Sequence, residues 1–187
     1  PADMPFAADA DVYQAVRDRA QAMLKDRSGS IFQLITMLRQ TAADYRLLDP
    51  NMEGRESTKT AWIADRVASE IAEGRKVLLF STWTTHLDVL NRAMVTRGVD
   101  PSIISRIDGD KTRREKRWAE EDFKEGRVHI LEMTMRAGGR ALNLPEADTV
   151  ILGVPWWNPS VMRQAAYRAV RRGQTKTIDV LIPLMAD

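Results

Sequence analysis

Two arginines, Arg168 and Arg171, stand three residues apart in the stretch Gln164-Ala165-Ala166-Tyr167-Arg168-Ala169-Val170-Arg171-Arg172-Gly173-Gln174. On a helix, that spacing sends both guanidinium groups from one face. Side by side they repel unless an anion or a carboxylate lies opposite, and the planar guanidinium fork matches phosphate oxygens. The competing reading is a solvated basic helix end, which the helix dipole favours. A second segment, Arg136-Ala137-Gly138-Gly139-Arg140-Ala141-Leu142-Asn143-Leu144, sets adjacent glycines between cations. Those glycines either make a tight turn or let backbone N–H groups close around a phosphate. The third segment is Val154-Pro155-Trp156-Trp157-Asn158-Pro159. Its tandem indoles either plug a core or lie against a nucleic-acid strand.

Groups of this kind need elements that hold them at one edge. From Lys76 onward, short apolar runs alternate with amphipathic stretches. The runs are Val77–Phe80, Ser102–Ile104, Val128–Leu131, Thr149–Leu152 and Ile178–Ile182. Nearly continuous apolar strands between helices predict an α/β fold, a parallel sheet with helices on both faces. Thr112-Arg113-Arg114-Glu115 fits a capping box opening a helix that ends near Gly126. Asn158-Pro159 offers an N-cap with proline at the first helical position, and Gly173 a helix stop. Ligands of an open parallel sheet bind beyond the carboxyl ends of its strands. That rule selects Ser81-Thr82-Trp83, Asp108-Gly109-Asp110, Thr134 to Asn143, and Pro155 to Pro159.

The first 75 residues read as helical, with Val12, Ala15, Val16 and Met23, then Ile31, Leu34, Ile35 and Leu38, at helical spacing. Asp49 to Gly54 is turn chemistry, and a third helix after Ser57 puts Trp62, Ile63, Val67 and Ile71 on one face. The expected organisation is a helical segment over 1–55 and an α/β lobe over 56–187.

The 187 residues suffice for one domain with a sizeable core. A net charge of +2 gives no global basic field, so any nucleic-acid site must be a local patch. The chain has no cysteine and two separated histidines, His86 and His129, so no metal site is expected. No apolar run reaches membrane-spanning length, so no membrane partner is expected. The opening residue is Pro1 and not Met, which suggests a piece of a larger protein.

The order of the segments is more specific than any one of them. Lys76-Val77-Leu78-Leu79-Phe80-Ser81-Thr82-Trp83 resembles helicase motif IV. Ile107-Asp108-Gly109-Asp110 with Phe123 resembles the Leu-Asp-Gly-Ser segment and its trailing phenylalanine. Thr134 to Gly139, Asn143-Leu144 and Ala147-Asp148 look like motif V, and Trp157-Asn158-Pro159 like the Asp-Trp-Asn-Pro element after it. Gln164-Ala165, Arg168, Arg171 and Gly173-Gln174 look like motif VI. Over about residues 30 to 185, the chain is similar to the C-terminal helicase lobe of the SWI/SNF-related remodellers of helicase superfamily two. It departs from the pattern at Asp110, where serine is usual, at Arg140 and Ala141 in motif V, and at Val154, Val170 and Arg172.

The resemblance implies a RecA-like, P-loop-NTPase-type lobe that completes an ATP site. Arg168 and Arg171 would be arginine fingers, Gly139 and Asn143 would lie near the nucleotide, and Gln164 would position the finger helix. Ser81, Thr134 and Arg136 would touch the phosphates of double-stranded DNA, and Trp157 would contact the strand. The implied partners are the first RecA-like lobe of the same protein, duplex DNA, and nucleosomes or other DNA-bound protein. The implied location is nuclear in a eukaryote and cytoplasmic in a bacterium. Neither Gly-x-x-x-x-Gly-Lys-Ser/Thr nor an Asp-Glu box occurs, so ATP and its Mg2+ would be held by the first lobe, and this chain alone is expected to be inactive. The rival expectations are a non-catalytic, degenerate lobe binding DNA or protein, and the lobe of an RNA helicase.

Overall fold

A computed structural model of the chain describes residues 9–26, 28–49, 55–137, 144–154 and 177–184. The chain divides into two compact units, the first running to Trp62 and taking in Leu184, the second running from Ile63 to Pro183.

The first unit contains helices α1 (Ala10–Lys25) and α2 (Ile31–Ala43). Ser30 opens α2 with a reciprocal capping box, its hydroxyl accepting from Gln33 N while the Gln33 side chain accepts from Ser30 N. The fully buried Asp44 carboxylate accepts hydrogen bonds from Arg46, Ser57 and Thr60, which ties the turn after α2 to the start of α3 (Thr58–Ala72). Lys59 is buried and donates to the Ala42 carbonyl at 3.1 Å. Burial pushes its amine down to about 8.

The second unit is an α/β sheet of five parallel strands, as the apolar runs predict. They are β1 (Val77–Ser81), β2 (Ile104–Ile107), β3 (Ile130–Thr134), β4 (Thr149–Leu152) and β5 (Asp179–Leu181), in the order β2-β3-β1-β4-β5. Central β1, β3 and β4 are buried throughout, which is why they are mostly apolar, although β3 carries the buried Glu132 in its middle. Helices α4 (Thr84–Thr96) and α5 (Arg113–Glu125) connect β1 to β2 and β2 to β3. Successive strand residues face opposite sides. Leu131 and Met133 of β3 join Ala119 and Phe123 of α5 in one core cluster, whereas Glu132 between them meets Asn91 of α4.

Both predicted punctuation marks of α5 are present: Thr112 and Glu115 form a capping box, and Gly126 closes the helix at φ 80°. Lys76 Nζ donates to the Phe123 and Lys124 carbonyls at 2.6 and 3.2 Å, satisfying the last turn.

Two strands begin two residues later than the apolar pattern suggests, and β5 begins one residue later, at Asp179. Pro101–Ile103 is a 3-10 turn because Pro101 presets φ and the Asp100 side chain accepts from Ser102 N, so β2 starts at Ile104. Val128 N donates to the Asp122 carbonyl and so belongs to the end of α5, leaving β3 to start at Ile130.

The third helix differs from its predicted face in one respect. Ile63 and Val67 are fully buried, but the next buried position is Glu70, one before Ile71. Its carboxylate pairs with Arg75 Nε at 2.8 Å and accepts from Thr149 Oγ1 at 2.5 Å, and Arg75 continues to Asp179 at 2.7 Å. This chain of charges links α3, β4 and β5. Arg75→Ala should lower the stability of the chain by about 2 kcal/mol in urea unfolding, because the buried Glu70 carboxylate loses an ion-pair partner and keeps only Arg66 and Thr149. An unchanged midpoint would show that the network is ornamental.

Candidate functional site

The carboxyl edge of the sheet is built by register. Ser81 ends β1 directly opposite Thr134, the last residue of β3, so the two hydroxyls expected to meet phosphates are neighbours. Both are buried. Ser81 Oγ lies 2.9 Å from His86 Nδ1 and accepts from Trp83 N at 3.3 Å. The Ser81 carbonyl accepts from Met135 N at 2.9 Å, and Thr134 Oγ1 accepts from Ala137 N at 3.3 Å. These hydroxyls therefore shape the turns leaving β1 and β3. Ser81 presents no surface, so any contact it makes with a phosphate acts through the Trp83 turn. Arg136, by contrast, is exposed at the start of the glycine segment.

The next turn is organised by a carboxylate. Asp108 Oδ1 accepts from Asp110 N at 3.0 Å and Lys111 N at 3.2 Å, which folds Asp108-Gly109-Asp110 back into the capped start of α5. Between this turn and Arg136 lies a cleft of about 660 Å³. Lys111, Arg113, Lys116, Arg117 and Arg136 line it, with Glu120 as the one carboxylate among the described lining residues. The α5 cations were not singled out from sequence. Their signal was present, because four basic residues crowd the Arg113-Arg114-Glu115-Lys116-Arg117 opening of a helix.

A second polar feature lies below this edge. Glu132 is almost completely buried and is held by Arg106 at 2.7 Å and by Asn91 at 3.4 Å, while Arg106 also pairs with the exposed Asp88 at 2.5 Å. Burial raises the Glu132 carboxyl to about 7, and the opposing pull of Arg106 offsets only part of that rise.

Six predicted site residues, Gly139, Asn143, Trp157, Gln164, Arg168 and Arg171, lie outside the described residues. Among the described residues no group of three or more potential metal ligands occurs, and no helix is long and apolar enough to cross a membrane.

Comparison with known proteins accounts for this arrangement. Residues 58–173 match the helicase conserved C-terminal domain. The chain is 29% identical over 171 residues to "DNA repair protein RAD5A" of Arabidopsis thaliana, covering 86% of this chain and 16% of that protein. It is 39% identical over 111 residues to "ATP-dependent DNA helicase DDM1" of the same plant, covering 58% and 14%. It thus spans less than a fifth of these relatives. In fold it is similar to the Sulfolobus solfataricus SWI2/SNF2 ATPase core solved with dsDNA, at a TM-score of 0.74 and 21% identity over 94% of this chain and 38% of that one. The C-terminal part of the Fun30 ATPase domain superposes at 0.61 with 23% identity, over 91% and 60%. The strand order, the motif-bearing turns at one sheet edge and these matches agree, and the chain belongs to the helicase conserved C-terminal domain family as the C-terminal, RecA-like lobe of a SWI/SNF-related helicase.

Proposed function

We propose that this chain is the second motor lobe of an ATP-dependent double-stranded-DNA translocase or remodeller. The observation that carries the reading is a division of parts. A chain belonging to this helicase family contains the arginine-bearing segment but neither the phosphate-cradling lysine loop nor the Asp-Glu box. The missing parts, with Mg2+, belong to a first lobe, and alone the chain hydrolyses nothing. Bound ATP supplies the phosphoryl group whose transfer to water drives the cycle. By motif order, Arg168 and Arg171 would stabilise the charge on its terminal phosphate, Gly139 and Asn143 would contact the nucleotide, and Gln164 would help to position the two arginines. These assignments rest on motif order, and the register of the sheet supports them by bringing the ends of β1 and β3 to one edge.

DNA crosses that same edge. Arg136 is exposed there and meets phosphates directly, whereas the buried Ser81 and Thr134 act by holding the turns that present it. Trp157 packs against the strand. That similar proteins are described as a DNA repair protein and as a core complexed with dsDNA supports duplex DNA as the track. Closure on ATP and reopening after hydrolysis then step the two lobes along it. Such a motor acts where DNA is held, in the nucleus of a eukaryote or the cytoplasm of a bacterium, on nucleosomes or other DNA-bound protein.

In the full-length protein, duplex DNA should stimulate ATP hydrolysis and RNA should not. Trp157→Ala should keep that hydrolysis and lose movement, read by displacement of a third strand from a triplex. Base stacking of about 1–3 kcal/mol sets the scale of the lost grip. Equal stimulation by RNA would favour an RNA motor. No hydrolysis with any nucleic acid would favour the non-catalytic module, a reading that the departures at Asp110, Arg140 and Ala141 keep in view. Unchanged displacement would remove Trp157 from the track.

A further inference from the structure

One margin of the sheet ends on β2, which pairs with β3 and with no other strand among the described residues. His129 N donates to the Ile103 carbonyl, and main-chain groups alternate sides along a strand. Ser105 and Ile107 therefore turn their N–H and C=O groups toward β3. The Ile104 N–H is taken by the Pro101 carbonyl. The Ile104 carbonyl and both main-chain groups of Arg106 face outward, and no described residue bonds them. Side chains alternate as well. Ile107 enters the core with Ala119 and Phe123 of α5, whereas Arg106 pairs with Asp88 of α4 and with Glu132. The strand is thus open along its outer side, with α5 on one face and α4 on the other.

Each face carries a hollow beside that open side. On the α5 face, about 370 Å³ lies against Ile104, Ser105, Trp118 and Ala119. Trp118 is 48% exposed, and Arg114 stacks on its ring at 4.3 Å, which holds a large apolar surface in place against water. On the α4 face, about 520 Å³ lies beside Asp88, Arg92 and Arg106. The carboxylates there are committed, Asp88 and Glu132 to Arg106, and Asp108 to the N–H groups of Asp110 and Lys111. Arg92 is exposed and makes no ion pair among the described residues, and Lys111 reaches only Glu115 at 3.8 Å. The groups free to meet a newcomer are these two cations. We infer that the outer side of β2 is a docking edge for an extended segment of a partner protein, added as a further strand, with apolar side chains toward Trp118 alternating with carboxylates toward Arg92 and Lys111. The period of two that a strand imposes matches one hollow on each face, so successive side chains of the segment fall alternately into the apolar and the cationic one. Charges alone would guard an edge against pairing, but an exposed indole beside it works the other way. The inference does not depend on the motor reading.

The test is fluorescence anisotropy with the full-length protein and a labelled peptide of alternating valine and glutamate, about ten residues long to overreach the short strand. It should bind, and the same peptide with lysine in place of glutamate should bind at least tenfold more weakly. A version N-methylated throughout, which has no main-chain donor to offer the edge, should not bind. Trp118→Ala should weaken the glutamate peptide at least fivefold. Arg92→Glu should weaken it at least tenfold and strengthen the lysine peptide. Both side chains are exposed, so neither substitution should move the thermal midpoint. No binding of the glutamate peptide at about 1 mM overturns the inference and leaves the charges of the edge as a guard against pairing. Equal binding of the N-methylated version also overturns it, because side-chain capture without an added strand would suffice. Unchanged binding in both variants does the same by placing the peptide elsewhere. Self-association of the protein that Trp118→Ala abolishes would make a second copy the occupant in place of a partner.

Discussion

Arg171→Ala in the full-length protein is expected to lower DNA-stimulated ATP hydrolysis by about 10³–10⁵, while DNA binding survives. The size follows from what a finger does. As the terminal phosphoryl group transfers, negative charge gathers on its oxygens, and a guanidinium aimed there in a water-poor cleft acts without reorganising. A loss on that scale is about 4–7 kcal/mol of barrier, far more than a surface cation contributes to binding. Arg171→Lys separates the two properties of the side chain, because it keeps the charge and loses the planar fork. It should recover little of the rate. Steady-state hydrolysis at saturating duplex, together with DNA affinity, decides the matter. A variant hydrolysing at the wild-type rate would leave Arg171 as an ordinary solvated helix end.

The second large effect concerns stability. Glu132 is ionisable, almost fully buried and placed mid-strand in β3. Its carboxyl is raised from 4.5 to about 7 by burial, which outweighs the adjacent Arg106. The folded chain therefore holds this proton over a pH range in which the unfolded chain has released it. Below about 4.5 both states are protonated, and above about 7 neither is. The contribution of Glu132 to stability is fully present below the lower value and is lost as pH rises through the upper one, by about 3 kcal/mol. Glu132→Gln removes the titration while keeping the shape and a hydrogen-bonding head. Urea unfolding of the two chains at pH 5 and pH 7.5 should show the difference moving in favour of the variant as pH rises. Parallel profiles would mean that Arg106 fully compensates the buried charge.

These two residues differ in how they can be found. Arg171 stands out in the sequence as one of two arginines three residues apart, and the finger role proposed for it comes from the resemblance of its segment to motif VI. Glu132 does not stand out, since the apolar run that announces its strand stops at Leu131, and nothing in a linear reading places Arg106 and Asn91 beside it.

The same division holds for the site. The α/β class and the complete span of β4 follow from unbroken apolar runs, and the limits of α5 follow from the Thr112–Glu115 box and Gly126, because strand burial and helix capping are local consequences of residue type. The absence of a lysine loop and an Asp-Glu box from this chain is also a property of sequence alone. Strand order and the burial of Ser81 depended on tertiary structure. So did the cation cleft, and for the same reason. Arg136 and Arg113 are 23 positions apart in the chain, and only the pairing of β2 with β3 brings the turns that carry them to one edge.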